Sequence, residues 1–349
     1  MALRIIPFVS AYTEQCADLL QHLWKETAEE RLAHFEWAYL HNPNNEGVVA
    51  AVIAVNDENQ VLGFRGFHLL KAYWGGVENK IAYIADTVVS PDARRQGILM
   101  KMTRYSFKFL KENGIFCIGD LGPSWPPYHG YKKLGFEDLS LFNRKFRFYA
   151  LPLIQQKLRH AVRQQKPDYQ ATTASGIVTI STSVGQDILS QLPDSRQEGV
   201  IRPCRDKATL KWKSEHPGAK YVYAYTTDAE RQLKSFLWFK TSDNYRYIVG
   251  LCHTTDEDNL KTLYKTFCKQ VRPSIVEIWT WALDGPMKRN VKALRFRSVP
   301  FINKIKKNPP AIVRSLLEDD TGQTDWVMAG IDIRKARNWV VDKFEADSF

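Results

Sequence analysis

The junction between residues 79 and 114 limits the fold more than any other stretch of the chain. An apolar run, NKIAYIADTVVSP, meets the basic turn ARRQG, and a segment without helix breakers follows over residues 97–112, before Asn113 and Gly114. Apolar residues recur in that segment at three- and four-residue spacing, which predicts an amphipathic helix. A short apolar run, IFCIGDL, comes next. Strand, turn, helix and strand in this order indicate an α/β crossover.

The residues before this junction predict one helix and a meander of strands. Residues 15–32 carry leucines and a tryptophan at helical spacing, so we expect a single amphipathic helix there. The runs GVVAAVIAVN and VLGFRGFHLLKAYW are joined by the polar turn DENQ. They predict two paired strands, and the apolar run that enters the junction predicts a third.

The basic turn at the start of the predicted helix has the chemistry of a phosphate site. The first N–H groups of a helix have no intrahelical partners, and the helix dipole adds partial positive charge there. Gly97 allows the backbone to approach a ligand oxygen, while Arg94 and Arg95 supply charge and forked donors. The turn matches neither a Walker loop nor a GxGxxG fingerprint, so we expect another phosphate carrier.

Two segments in this part of the chain resemble one family. VVSPDARRQGIL, residues 88–99, is similar to the acyl-CoA motif of the GNAT N-acetyltransferase superfamily, written [QR]xxGx[GA] after a V-x-P strand end. Arg94 and Gly97 match that motif. GYKKLGFED, residues 130–138, resembles the Y-x-x-x-GF element that follows the fifth strand of the same fold. The two motifs stand in the family's order, and the resemblance covers residues 1–150.

The resemblance implies an α/β (α+β) fold class with a mixed central sheet of GNAT type, and acetyl-CoA or another acyl-CoA as co-substrate. The coenzyme would lie in a V between two splayed parallel strands. Its pantetheine would pair with the backbone at the end of the first of these strands, and its pyrophosphate would bind the N–H groups of the basic turn. The expected coenzyme site therefore comprises Val88, Val89, Arg94, Arg95, Gln96, Gly97, Ile98, Leu99 and Met100. No metal is expected.

Acylation of an amine needs a group that removes a proton from nitrogen and one that gives a proton to the departing thiolate. Tyr131 matches the family tyrosine that protonates the coenzyme sulfur. Asp86 is the first candidate for the base, because strand alternation places it on the same face as Val88. His129 competes with it, since imidazole titrates near neutral pH. Deprotonation through water would need no single base.

The remaining sequence predicts a second domain of a similar kind. We expect a GNAT acyl-CoA-binding catalytic domain over residues 1–150, a basic helix and linker over 151–175, and a degenerate GNAT-like domain with an acceptor or structural role over 176–349. FEWAYLHNP is loosely matched by LKWKSEHP, and YKKLGF by VKALRF, which suggests an internal repeat, although such short matches also arise by chance. The second half has no counterpart of ARRQG, so we expect no coenzyme there.

Composition limits the classes of binding partner and the cellular compartment that we expect for this protein. The chain has 49 Lys and Arg against 38 Asp and Glu, a net charge of +11, so it attracts anions. Basic residues are not clearly interleaved with aromatic ones, so no nucleic-acid partner is indicated. The five cysteines are scattered and lack CxxC spacing, which argues against a disulfide framework and a zinc cluster. With no signal-peptide pattern and no apolar stretch of membrane length, we expect a cytoplasmic protein.

Three functional hypotheses follow. The first is an N-acyltransferase that moves an acetyl or other acyl group from acyl-CoA to a primary amine of a small molecule, such as an amino sugar, by direct transfer in a ternary complex. The second is a cell-wall-type transferase that uses aminoacyl-tRNA, which should not need residues 94–97. The third is a non-enzymatic acyl-CoA sensor or interaction module.

Overall fold

Two mixed sheets with helices packed against them make up the protein, and this α/β architecture confirms the predicted fold class. The computed structural model describes residues 3–74, 76–122, 125–140, 143–149, 167–174, 176–194, 199–242, 246–280, 285–298, 310–341 and 344. The predicted basic helix and the first part of the predicted linker, residues 151–166, lie outside the described residues.

The helices connect the strands of the two sheets. They are α1 (Thr13–Leu19), α2 (Ala28–Phe35), α3 (Ile98–Glu112), α4 (Trp125–Lys133), α5 (Gln186–Leu189), α6 (Lys207–Ser214), α7 (Glu257–Val271) and α8 (Gly285–Ala293). A π-helical turn, Glu36–Leu40, continues α2. Within the described residues, no helix combines the length and the apolar character needed to cross a membrane.

Most strands of the first sheet come from the first 140 residues. They are β1 (Arg4–Pro7), β2 (Ala51–Val55), β3 (Val61–Trp74), β4 (Val77–Val89), β5 (Cys117–Asp120) and β6 (Glu137–Ser140), joined by the distant β10 (Arg202–Pro203) and β16 (Ala311–Ser315). Their order is β1-β2-β3-β4-β5-β16-β6, with β10 also paired to β3. Strands β4 and β5 are parallel, and α3 connects them, as the crossover predicts.

The second sheet repeats this order with other strands. It contains β7 (Asn143–Phe148), β8 (Tyr169–Thr173), β9 (Gly176–Ser181), β11 (Tyr221–Thr227), β12 (Leu233–Ser242), β13 (Arg246–Thr254), β14 (Ile275–Thr280) and β15 (Arg297–Ser298). Read from β9, its order is β9-β11-β12-β13-β14-β7-β15. Strands β13 and β14 are parallel and α7 connects them, so this sheet is built like the first one. A small hairpin, β17 (Val327–Met328) and β18 (Ile331–Asp332), lies outside both sheets.

The two sheets exchange one strand each. Strand β16, near the end of the chain, lies between β5 and β6 of the first sheet. Strand β7, from the first half of the chain, lies between β14 and β15 of the second sheet. The hydrophobic core under the first sheet also takes residues from 311–341, among them Val313 and Trp339. Both sheets therefore depend on residues from both sides of the predicted boundary at residue 150.

A pair of tryptophans joins the two halves. Trp37, in the π-helical turn, and Trp212, in α6, are buried and stack with their ring centroids 4.6 Å apart and an interplanar angle of 11°. The Trp37 indole donates a hydrogen bond to the Trp212 carbonyl at 2.7 Å, and the Trp212 indole donates one to the Trp37 carbonyl at 2.8 Å. These residues are the tryptophans of FEWAYLHNP and LKWKSEHP, so the two matched segments meet across a near-symmetric contact.

The start of the chain differs from its predicted form. The single helix expected over residues 15–32 is two helices, because α1 and a 3₁₀ turn end at His22 and α2 begins only at Ala28. Thr27 caps α2 with a capping box formed with Glu30, which fixes a new helix start at this point. The break places Leu23 and Trp24 on a turn, with their side chains 43% and 39% exposed.

The tryptophan pair predicts a loss of stability when either ring is removed. Trp37→Ala removes a buried ring that stacks on Trp212 and also holds in place the backbone carbonyl that accepts from the Trp212 indole. We therefore expect the free energy of unfolding to fall by about 3–5 kcal/mol. Trp212→Ala should cost a similar amount, and the double variant should cost less than the sum. Denaturant unfolding measures this, with the exposed Trp24→Ala as control. Equal losses in the control would contradict a special role for the pair.

Candidate active site

A cavity of about 540 Å³ opens where β4 ends and α3 begins. All residues predicted for the coenzyme line it except Gln96 and Met100. Its walls are Leu23, Thr87, Val88, Val89, Ala93, Arg94, Arg95, Gly97, Ile98, Leu99 and Pro127. The basic turn, the end of a strand and the start of a helix therefore surround one space.

The cavity exists because β4 and β5 stop pairing. Their parallel register runs from Ile81 opposite Cys117 to Tyr83 opposite Gly119. Strand β5 ends at Asp120, whereas β4 continues to Val89. No described strand pairs with this edge of β4 beyond Tyr83. Its backbone groups can therefore bind a ligand that takes the place of a neighbouring strand.

The start of α3 suits an anion. The first bond inside the helix runs from the Lys101 N–H to the Gly97 carbonyl at 3.0 Å, so the preceding N–H groups have no intrahelical partner. Gly97 has a positive φ of 73°, no side chain caps this end, and the first turn contains no acidic residue. A Cβ built on Gly97 would meet nothing within 4 Å, so the space beside it is open.

The arginines of the turn differ in their environment. The Arg94 guanidinium donates from Nε to the Val89 carbonyl at 3.2 Å, which ties the turn to the end of β4. Arg95 has a positive φ of 64°, a conformation that non-glycine residues seldom adopt and that is often found at functional sites. Both side chains line the cavity and are exposed, so a bound phosphate could be reached by either.

Asp86, the first candidate base, is buried in a polar network and does not itself line the cavity. Its two carboxylate oxygens accept hydrogen bonds from the Trp24 indole at 2.9 Å and from the Tyr39 hydroxyl at 2.8 Å. The Tyr39 hydroxyl in turn accepts from the Asp86 backbone N–H at 3.2 Å. The network therefore fixes the carboxyl group of Asp86 two residues before Val88, where the unpaired edge of β4 lines the cavity.

A bulge and a glycine make this network possible. Between the pairs Arg65–Thr87 and Phe67–Ile84, β4 has one residue more than β3, and Asp86 lies within that bulge. Opposite it, a Cβ on Gly66 would lie 2.3 Å from the Tyr39 ring. Only glycine lets the ring pass this close to β3, and so lets Tyr39 reach Asp86.

Tyr131, the candidate acid, is buried at the end of α4 with 2% of its surface exposed. Its hydroxyl accepts a hydrogen bond from Nη1 of Arg65 at 3.1 Å. Tyr131 does not line the cavity, whereas Pro127, one helical turn earlier, does. His129, the competing base, is exposed and contacts the Tyr128 ring.

Sequence reasoning missed several residues of this site. Thr87 lies between Asp86 and Val88 on the strand that enters the basic turn, and that position could have identified it. Leu23 and Pro127 reach the cavity only through the tertiary fold. Arg65 reads as an ordinary strand residue, although it is completely buried. Among the residues that the structure describes, no group of three His, Cys, Asp or Glu residues could hold a metal ion.

The second sheet has a counterpart of each element of the site, with different residues. Helix α7 follows β13 as α3 follows β4, but the Asp256 side chain caps it, and Glu257 and Asp258 lie in its first turn. The turn that follows α4 closes with a bond from the Phe136 N–H to the Tyr131 carbonyl, and the one after α8 with a bond from Phe296 to Val291. Valine therefore stands where the first half has its tyrosine.

Comparisons with known proteins agree with this geometry. Residues 4–138 match the family model described as an acetyltransferase (GNAT) domain. A search of curated proteins found no match.

Solved structures extend the similarity in fold over most of the chain. A conserved protein of Enterococcus faecalis V583, described as a probable N-acyltransferase, is 11% identical, with a TM-score of 0.62 over 90% of this chain and 73% of that one. A GCN5-related N-acetyltransferase from Anabaena variabilis ATCC 29413 is 13% identical, with a TM-score of 0.58 over the same shares. A tandem GNAT protein from the clavulanic acid biosynthesis pathway is 11% identical, with a TM-score of 0.51 over 91% of this chain and 100% of that one.

At these identities the structural similarity concerns the fold, and the family rests on the sequence match. The match includes both β4 with the basic turn and the segment that contains Tyr131. The resemblance predicted from the acyl-CoA motif is therefore confirmed: residues 4–138 of this chain match the acetyltransferase domain of the GNAT family.

Proposed function

We propose that this protein is an N-acyltransferase that moves an acetyl group from acetyl-CoA to the primary amine of a small molecule, with both substrates bound at once. One observation carries the proposal: the uncapped, acid-free start of α3 opens into the same cavity as the unpaired edge of β4. The first feature suits a pyrophosphate, and the second suits the amides of pantetheine.

The residues of the cavity fit the coenzyme in size and in charge. The N–H groups at the start of α3 would bind its pyrophosphate, while Arg94 and Arg95 add two positive charges at the rim. The backbone of Val88 and Val89 would pair with the pantetheine. A cavity of about 540 Å³ lies within the range of small-molecule pockets, and its open mouth leaves room for the rest of the coenzyme outside it.

The transfer needs one proton acceptor and one proton donor. The amine nitrogen forms a bond to the thioester carbonyl carbon, and the carbon–sulfur bond then breaks. Asp86 takes one proton from nitrogen, directly or through water, and Tyr131 gives one to sulfur. Both groups then return to their starting states by exchange with solvent. From the neutral amine, the products are an amide and a free thiol with no net change in protons, and an amine bound as ammonium releases one further proton to solvent.

Residues 176–349 serve, in this proposal, as a degenerate copy that supports the acceptor side. The acidic first turn of α7 would repel a pyrophosphate, and Val291 has no proton to give. His216 reaches the first half, with its ring 4.1 Å from Trp37 and 5.3 Å from His34. Burial lowers the pKa of His216 to about 3, so it remains neutral there.

The acceptor would enter beside Trp24. Trp24 is 39% exposed, and its indole N–H donates a hydrogen bond to Asp86, so an exposed aromatic residue contacts the candidate base. Aromatic faces pack well against sugar rings and aliphatic chains. This supports an amino sugar or another small amine as the acceptor.

The proposal is tested by thiol release from acetyl-CoA with a panel of primary amines that includes glucosamine. Thermal stabilisation by acetyl-CoA together with amine-dependent thiol release would support it. Stabilisation without thiol release from any amine would favour an acyl-CoA sensor. Neither effect with acetyl-CoA, but aminoacyl transfer from charged tRNA, would favour the cell-wall-type transferase.

Gly97 should not tolerate a carboxylate. Gly97→Glu would place a negative charge beside the pyrophosphate, and two unit charges about 4 Å apart near a protein surface interact with about 4 kcal/mol. We expect acetyl-CoA affinity, measured by calorimetry, to fall more than about 100-fold. Gly97→Gln is the control, since it has the same backbone strain and size without the charge. Equal affinity of the two variants would place the pyrophosphate elsewhere.

Tyr131→Phe should lower turnover without weakening coenzyme binding. General acids contribute about 10²–10⁴-fold, so we expect kcat to fall at least about 100-fold with the KM for acetyl-CoA unchanged. Hydroxylamine is a suitable probe acceptor, because it is neutral at pH 7 and needs no base to become nucleophilic. A parallel loss of kcat and of coenzyme affinity would instead assign Tyr131 to packing.

Asp86→Asn should lower kcat for glucosamine about 100-fold at neutral pH, if the carboxylate accepts the proton of the amine. Tyr39→Phe is the matched control, because it removes a hydrogen bond to Asp86 but keeps the carboxylate. An equal loss in both variants would mean that Asp86 serves only to anchor Tyr39 and Trp24. His129→Gln should retain activity, and a greater loss there than in Asp86→Asn would make His129 the base.

A further inference from the structure

Arg65 is a buried arginine close to the candidate active site. It lies on β3, and none of its surface is exposed. Its Nη1 donates to the Tyr131 hydroxyl at 3.1 Å and lies 3.4 Å from the Thr87 hydroxyl. Among the described residues, its Nε and Nη2 atoms have no hydrogen-bond partner and no carboxylate pairs with it.

Packing does not account for this arginine. Its guanidinium carbon lies 5.0 Å from the centroid of the Phe67 ring and 5.2 Å from that of Tyr131. Such cation–π contacts favour a buried guanidinium. Burial of an ion is costly, however, and two donors without partners add to that cost. Stability alone therefore does not explain why an arginine stands at this position.

The hydrogen bond to Tyr131 determines where the tyrosine proton can go. Because Arg65 can only donate, the phenol oxygen must accept in this bond. Its own hydrogen therefore points in another direction, and the described residues offer it no acceptor. Thr87, the other neighbour of Arg65, lines the coenzyme cavity. The arginine thus links the buried tyrosine to the wall beside which the thioester would lie.

The second half lacks both members of the pair. In β12 and β13 the register shifts after the pair Trp238–Leu251, with the extra residue again on the later strand. Trp238 therefore occupies the position that Arg65 has before the bulge of β4. Val291 stands in the place of Tyr131, as described above. The arginine and the tyrosine are present together in one half and absent together from the other.

We propose that Arg65 is a positioning residue for the acid, which orients the Tyr131 hydroxyl toward the coenzyme sulfur and stabilises the negative charge left on its oxygen after proton transfer. This inference rests on the proposed function. The step itself is unchanged: the proton moves from the phenol oxygen to sulfur as the carbon–sulfur bond breaks. Arg65 contributes a fixed donor and a positive charge in a site from which water is excluded.

Arg65→Met tests this, with full-length protein, acetyl-CoA and hydroxylamine as the probe acceptor. We expect kcat to fall about tenfold, as for the loss of a hydrogen bond to a charged group, with the KM for acetyl-CoA unchanged. Arg65→Lys keeps the charge and should recover part of the loss. Replacement of a buried ion by an apolar side chain is often neutral or stabilising, so Tm should stay the same or rise. A packing residue would instead lower Tm.

A double-mutant cycle separates this inference from the function on which it depends. In the Tyr131→Phe background, Arg65→Met should change kcat by less than about twofold, because Arg65 acts through the missing hydroxyl. A tenfold loss in both backgrounds would overturn the inference, as would a Met variant that is fully active or fails to fold. If Tyr131→Phe alone has no effect on kcat, the acid assignment fails and the inference fails with it. If wild-type protein releases no thiol, the proposed function fails.

Discussion

The end of pairing between β4 and β5 determines the rest of the site. Up to Tyr83 the two strands form an ordinary parallel pair, and beyond it β4 continues alone. The gap gives the cavity its depth and leaves backbone groups of β4 available to a ligand. It also places the start of α3 at the mouth of the same cavity, because the helix must cross from the end of β4 back to β5. One interruption of a sheet thus creates both walls of the cavity proposed to hold the coenzyme.

Strand exchange makes the two halves of the chain mutually dependent. The first sheet is completed only by β16, which follows all the strands of the second sheet in sequence, and the second sheet needs β7. The family match ends at residue 138, before either exchanged strand. Loss of the second half would remove β16 and Trp212, and so expose one side of β5 and the face of Trp37. The region that matches the GNAT acetyltransferase model ends at residue 138, but its sheet is complete only with residues beyond it.

Local signals in the sequence were sufficient to predict the strand, turn and helix that line the cavity, and insufficient for their surroundings. The basic turn, Gly97 and the helix period all lie within one short segment, so strand, turn and helix could be predicted together. The helix break before Thr27 depends on a capping box that the apolar spacing of residues 15–32 obscured. Arg65 could not be recognised, because a strand residue shows its burial and its partner only after β3, β4 and α4 are assembled. Strand β16 likewise carries no local sign of the sheet that it joins.

The differences between the two halves are consistent in their chemistry. The start of α3 in the first half has no capping side chain and no acidic residue, which suits an anion. The start of α7 in the second half has a capping aspartate and two further acidic residues. Where the first has Tyr131 with a buried arginine behind it, the second has Val291 and Trp238 at the matching positions. A copy that bound no coenzyme would have no use for an unsatisfied buried charge, and its replacement by an apolar ring removes the cost of burial. The second half does contribute contacts to the first half: Trp212 stacks on Trp37, and the neutral His216 lies beside His34. The ring centroids of His34 and Trp24 lie 5.9 Å apart, and the Trp24 indole donates to Asp86. These contacts therefore connect the second half to the carboxylate proposed to receive the proton of the amine.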